Sequence, residues 1–161
     1  MLGLFKKKKK PLKEFYSVVD GKSIDLSEVQ DEMFSKKTLG DGIAVIPSSD
    51  DIVSPCSGEV TMVAATKHAV AIENEDGVQV LIHIGLDSVK LNGEGFKIFC
   101  KEGDRVEVGT LLVKIDRELF KKEKISDTVI MILVEQNGHE IINRNTGENI
   151  KAGESMLIQY N

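Results

Sequence analysis

AVAIENEDGVQVLIHI (residues 69–84) holds two apolar runs, Ala69–Glu73 and Val78–Ile84, on either side of Asn74-Glu75-Asp76-Gly77. Apolar runs flanking an Asp-Gly pair are the local mark of a β-hairpin. The spacing predicts a four-residue loop with Gly77 in the left-handed conformation. Glu73 then faces Val78. The same register sets His68 directly opposite His83, with Cβ atoms about 4.5 to 5.5 Å apart. A two-residue Asp-Gly loop would set His68 opposite Gly85 instead. The four-residue loop is preferred because it gathers Ala69, Ala71, Val78, Val80 and Ile82 on one apolar face. Val70, Ile72, Gln79 and Leu81 then share the histidine face. A slip of one residue would exchange the two faces.

The rest of the chain repeats this rhythm. Turn signals recur at Asp20-Gly21, Gly40-Asp41-Gly42, Ser57-Gly58, Asn92-Gly93, Gly103-Asp104, Asn137-Gly138, Thr146-Gly147 and Ala152-Gly153. Between them lie short runs such as Gly42–Ile46, Gly58–Ala64, Leu111–Ile115, Thr128–Val134 and Ser155–Tyr160. Short strands at close intervals predict an all-β fold, an antiparallel β-sandwich or flattened barrel. EGDRVEVG (102–109) feeds Leu111–Ile115 and has the form of the hammerhead motif of barrel-sandwich hybrids. Helix is confined to one or two short turns. Ser27–Phe34 would be capped by Ser27, and Arg117–Lys124 by Asp116.

Composition narrows the function. The 161 residues carry 21 Lys+Arg against 26 Asp+Glu, a net charge of −5. Residues 1–16 hold six Lys and one Glu, and the remainder is acidic by ten charges. The expected organisation is a flexible lysine-rich tail, 1–16, before a single β domain, 17–161. An acidic body argues against nucleic acid as a partner. Lys6, Lys7, Lys8, Lys9 and Lys10 beside Leu4 and Phe5 suit weak contact with an anionic membrane surface, about 1 kcal/mol per Lys. A solvated tail is the plainer reading. No apolar run approaches the roughly 20 residues of a membrane span. MLGLFKKKKK lacks the apolar stretch of a signal peptide. Two widely spaced cysteines, Cys56 and Cys100, fit reduced thiols, so a cytoplasmic location is expected, with transient contact at the inner face of the membrane.

His139 follows Asn137-Gly138 and reads as a solvated loop residue. The His68–His83 pair has three readings. It can be a structural pair, a metal site or a nucleophilic imidazole. A zinc enzyme needs three protein ligands and an open position. Leu81 stands where a His-x-His strand would put another ligand, so no metal and no intrinsic cofactor is expected. A nucleophilic imidazole must be neutral, which most histidines are at pH 7. His83 Nδ1–H can donate to the Gly85 carbonyl, leaving Nε2 as nucleophile. His68 can then donate to the oxygens of the arriving group, with its own ring fixed by the Thr66 hydroxyl. Phosphoryl transfer suits such equipment, since positioning and charge stabilisation supply most of its catalysis.

GVQVLIHIGLDSV (77–89) resembles the phosphorylation-site signature of the glucose-type enzyme IIA of the bacterial sugar phosphotransferase system. FSKKTLGDGIAVIP (34–47), SPCSGEV (54–60), ATKHAVAI (65–72), LNGEGF (91–96) and KEGDRVEVGTLL (101–112) resemble that family as well. Ser88 departs from its usual Thr. The resemblance covers roughly Ser23 to Asn161. It implies a phosphocarrier in sugar uptake. His83 would accept a phosphoryl group from phospho-HPr and pass it to a cysteine of a IIB domain of a sugar permease, with His68 and Thr66 in support. It also implies that Met33, Phe34, Leu39, Val70, Leu81, Leu86, Asp87 and Val89 meet the partners. With Met1 opening the chain, the permease is expected to be a separate polypeptide. The alternative is a regulatory module that binds protein targets through the same face without turnover. A biotinyl or lipoyl carrier would need an exposed Lys at a hairpin tip, which residues 74–77 lack.

Overall fold

A computed structural model describes residues 13–161. In chain order the strands are β1 (Lys13–Tyr16), β2 (Gly21–Asp25), β3 (Asp41–Pro47), β4 (Asp51–Val53), β5 (Gly58–Val63), β6 (Ala69–Asn74) and β7 (Gln79–Ile84). They continue with β8 (Phe96–Ile98), β9 (Arg105–Val106), β10 (Leu111–Ile115), β11 (Val129–Glu135), β12 (Ile141–Arg144), β13 (Asn149–Ile150) and β14 (Met156–Tyr160). The pairings are antiparallel. One large sheet runs β13-β2-β3-β11-β7-β6-β5-β9, and two small ones run β1-β14-β12 and β4-β10-β8. The all-β sandwich expected from the sequence is therefore the fold.

The main core lies among these three sheets. Ile43, Val45, Val70, Ile72, Val80, Ile82, Val129 and Met131 of the large sheet meet Phe15, Ile52, Leu112, Val113, Leu157 and Ile158 of the small ones. The large sheet also buries part of its other face. There Leu26, Val29 and Phe34 cover Ala44, Ile130 and Ile132 in a second, smaller cluster. This cover is a 3-10 turn, Leu26–Glu28, followed by helix α1, Glu32–Ser35. Two aspartates start these elements rather than Ser27. Asp25 accepts from Ser27 N in a capping box with Glu28, and Asp31 accepts from Met33 N. Helix α2, Arg117–Lys122, is capped by Asp116 as expected.

The β6–β7 register differs from the expected one by a single residue. Ala69 pairs with His83, Val70 with Ile82, and Glu73 with Gln79. The loop has three residues, since Asn74 N bonds to the Val78 carbonyl at 3.0 Å. The Asn74 side chain decides this by accepting from both Asp76 N and Val78 N, each at 3.0 Å. Gly77 is left-handed, with φ 73°, as expected. The shift exchanges the two faces of β6. Val70 and Ile72 enter the main core, while Ala69 and Ala71 join Leu81 and His83 outside. Burying a Val or Ile is worth about 1.5 to 3 kcal/mol, so the observed register outweighs one that would bury only two alanines.

Lys13–Tyr16, expected at the end of the tail, form β1 and pair with β14. Lys6 to Lys10, and the membrane contact expected of them, lie outside the described residues. Among the described residues no helix is long and apolar enough to cross a membrane.

Candidate functional site

The outer face of the large sheet carries two rows of side chains beside the α1 cover. Ile130, His83 and Ala69 form one row across β11, β7 and β6; Ile132, Leu81 and Ala71 form the next. The two alanines keep the surface low in front of the His83 ring. His68 stands just outside the β6 ladder, after Lys67 in the left-handed conformation, φ 64°. Its carbonyl accepts from Ile84 N at 2.8 Å, which ties it to the strand of His83. The two histidines are thus not directly opposite in register, yet their rings meet. The centroids are 5.1 Å apart and the planes stand edge-on at 79°.

Each ring has its own support. Thr66 Oγ1 lies 2.6 Å from His68 Nδ1. Phe34 tilts against His83 at a centroid distance of 4.9 Å. The two rings share a depression of about 220 Å³ with Asp31, Met33, Phe34, Leu39 and Val89. Burial, reinforced by the neighbouring His68, lowers the His83 pKa below its ordinary value. The Gly85 backbone and Asp31 pull the other way. Burial also lowers the His68 pKa. Both rings are therefore neutral at pH 7. Among the described residues the buried Nδ1 of His83 has no hydrogen-bond partner of ordinary geometry.

The structure sorts the expected docking residues. Met33, Leu39 and Val89 are exposed at 49%, 39% and 51%, a high value for large apolar side chains. Asp87 is exposed, and Leu81 and Leu86 are half-buried on this face. Val70 does not belong here. It is 1% exposed in the main core, a direct consequence of the shifted register. Phe34, 3% exposed, forms the floor under His83 rather than a contact surface. Ile130, beside His83, was not foreseen as part of the site, because pairing between β7 and β11 leaves no local mark in the sequence. Asp31 acts as helix cap as well as charge. No three His, Cys, Asp or Glu side chains converge among the described residues to form a metal cluster.

A roomier cavity, about 390 Å³, opens at the far end of the hairpin beside Lys13, Cys56, Asn74, Asp76 and Tyr160. Its polar groups bond to one another, with Tyr160 Oη donating to Asp76 at 2.7 Å and Asn74 Nδ2 donating to Tyr160 Oη at 2.8 Å. Burial pushes the Cys56 thiol up to about 12, so it is no nucleophile at neutral pH. The histidine depression is the smaller of the two, but its rings are neutral and face an open surface.

A family model described as phosphoenolpyruvate-dependent sugar phosphotransferase system, EIIA 1, matches residues 13–139. The chain is 37% identical to a PTS system glucose-specific EIIA component of Halalkalibacterium halodurans, covering 98% of this chain and 94% of that one. It is 41% identical to the component of the same name in Oceanobacillus iheyensis, over 97% and 96%. It is also 42% identical to a PTS system glucoside-specific EIICBA component of Staphylococcus carnosus, of whose length it spans only 21%. Among solved structures, the glucose permease IIA from Mycoplasma capricolum is similar, with a TM-score of 0.85 and 34% identity over 93% of this chain and 96% of that one.

Proposed function

The chain belongs to the EIIA 1 family of the phosphoenolpyruvate-dependent sugar phosphotransferase system, and we propose that His83 Nε2 is its phosphoryl acceptor. The donor is a phosphorylated histidine of the carrier HPr. The bond between donor nitrogen and phosphorus breaks as the bond from His83 Nε2 to phosphorus forms. In the second transfer the sulfur of a IIB cysteine takes the group, and His83 returns to its free form. Neutrality of His83 supplies the lone pair, and the Gly85 carbonyl accepts from Nδ1–H of that tautomer. The Thr66 hydroxyl donates to His68 Nδ1, so His68 Nε2–H faces the phosphoryl oxygens. Preorganised donors of this kind need no rearrangement as charge develops. Met33, Leu39, Leu81, Leu86 and Val89 meet the partner's apolar surface, and Asp87 steers a basic one.

The observation that carries this reading is the pair of edge-on rings, 5.1 Å apart, in an open depression. The long relatives, named EIICBA components, favour a IIB partner, and the relatives' names favour glucose or a glucoside as the sugar. Incubation with phospho-HPr should give an acid-labile, base-stable phosphate on the wild type and none on His83→Ala. His68→Ala should take up the label but release it slowly to a IIB domain. Normal labelling of His83→Ala would remove the assignment.

A further inference from the structure

The His83–Gly85 turn is held by more than its own chain. Resting on the phosphocarrier reading, we infer that Ser88 is a positioning residue for His83, whose buried hydroxyl fixes the Ile84 carbonyl and so the peptide that aims the ring. Ser88 is 0% exposed and its Oγ donates to the Ile84 carbonyl. It stands against the Gly85 Cα, where a Cβ on Gly85 would come within 2.9 Å of the Ser88 Cβ.

The two peptides around Gly85 are clamped at three points. Gly85 N donates to the Thr128 carbonyl at 2.8 Å, and Leu86 N to the Ser126 carbonyl at 3.1 Å. Those two contacts are backbone to backbone. The Ser88 hydroxyl is the side-chain member of the set, and it holds the carbonyl of the residue next to His83. The same Ile84 residue donates its N–H to the His68 carbonyl. Ser88 therefore holds the carbonyl side of Ile84, whose N–H side is tied to His68, and so bears on the turn into Gly85. Ile84 is itself 0% exposed, so without the hydroxyl its carbonyl loses a partner that water cannot readily replace. The Gly85 N–H bond to Thr128 is then what remains on the Ile84–Gly85 peptide, and the turn can shift at Gly85, moving the Gly85 carbonyl relative to His83 Nδ1. That nitrogen is already short of a well-formed partner. A small error in ring direction is costly, because misplacement near 1 Å can slow a reaction about 100-fold.

The test compares Ser88→Ala with Ser88→Thr, which keeps the hydroxyl. Nitrogen-15 shifts of the His83 ring, read on unphosphorylated protein, should show the Nδ1–H tautomer dominant in wild type and Ser88→Thr and depleted in Ser88→Ala. Uptake of phosphate from phospho-HPr should fall roughly 10- to 100-fold in Ser88→Ala. It should recover in Ser88→Thr. Tyr160→Phe, a change at the far end of the hairpin, is the control for lost stability and should leave the tautomer alone. Should Ser88→Ala fail to fold, Ser88→Cys carries the same comparison with a weaker donor of similar size. A wild-type tautomer and rate in Ser88→Ala, or equal losses in the Ala and Thr variants, would overturn the inference. A wild type that takes no phosphate on His83 instead overturns the phosphocarrier reading, and the tautomer comparison still decides the role of Ser88.

Discussion

At His83 the competition is between burial, which disfavours charge, and the Gly85 backbone and Asp31, which favour it. Burial wins, and the pKa falls below its ordinary value. His68 shifts the same way for the same cause. Unfolded histidines titrate near pH 6.5. Just below that pH the unfolded chain binds protons at these two positions that the folded chain does not. Folding stability at these positions is therefore complete above about pH 6.5 and declines as pH falls through it toward the lowered folded values. Urea midpoints at pH 7.5 and 5.5 should drop on acidification in the wild type, and drop less in His68→Gln/His83→Gln. A wild-type midpoint that rises on acidification, or an unchanged slope in the double variant, would contradict the burial argument. For the proposed phosphocarrier role, the same shift lets His83 keep its lone pair in mildly acidic solution, where an exposed histidine would lose it.

The turn that ends β7 depends on a residue without a side chain. Gly85 has φ 83°, and a Cβ there would meet Phe120 Cε2 at 2.8 Å and both the Ser126 carbonyl and Ser88 Cβ at 2.9 Å. Left-handed strain alone costs on the order of 1 to 3 kcal/mol for a residue bearing a Cβ. Two of those contacts cannot swing aside as a long side chain would. Gly85→Ala should accordingly lower the unfolding free energy by at least about 2 kcal/mol and impair phosphate uptake. A variant as stable as wild type by urea titration would show that the turn relaxes freely. The glycine stood in the sequence beside the histidine, and so did the strands. Turn signals marked β3, β5, β7, β10, β11 and β14 because each strand is short and its ends are chemically distinct. The β6 faces were not legible. Alternation in β6 is apolar on both sides, Ala69 and Ala71 against Val70 and Ile72, so the Asn74 side chain at the loop and the larger area of Val70 and Ile72 settle the register. Val70 was misplaced for that reason. The contact of Ile130 with His83 was hidden for another, since it joins strands separated by the whole hammerhead region.

Across the molecule the β6–β7 hairpin separates two kinds of work. Its strands are six residues long, about 20 Å at 3.3 Å per residue, with the histidines at one end and Asp76 at the other. At the Asp76 end Lys13 of β1 and Tyr160 of β14 both bind its carboxylate. Asn137 Nδ2 donates to the Asp76 carbonyl at 2.8 Å. These contacts fasten one small sheet to the tip of the hairpin in the large sheet. Burial, reinforced by the Asp76 carboxylate, holds the Tyr160 hydroxyl protonated well above its usual range, so the bond persists at any physiological pH. Removing the hydroxyl leaves Asp76 short of one donor and Asn74 short of its acceptor, a loss on the order of 1 to 3 kcal/mol. Tyr160→Phe should lower stability by that amount in urea titration while phosphate uptake stays at the wild-type rate. Sites farther apart than about 10 Å and without shared partners act additively, within about 0.5 kcal/mol. The double variant Tyr160→Phe/His83→Gln should then show the sum of the two single effects on stability. Slowed uptake in Tyr160→Phe, or a coupling well beyond that margin, would mean that the hairpin transmits strain along its length and that its two ends cannot be treated apart.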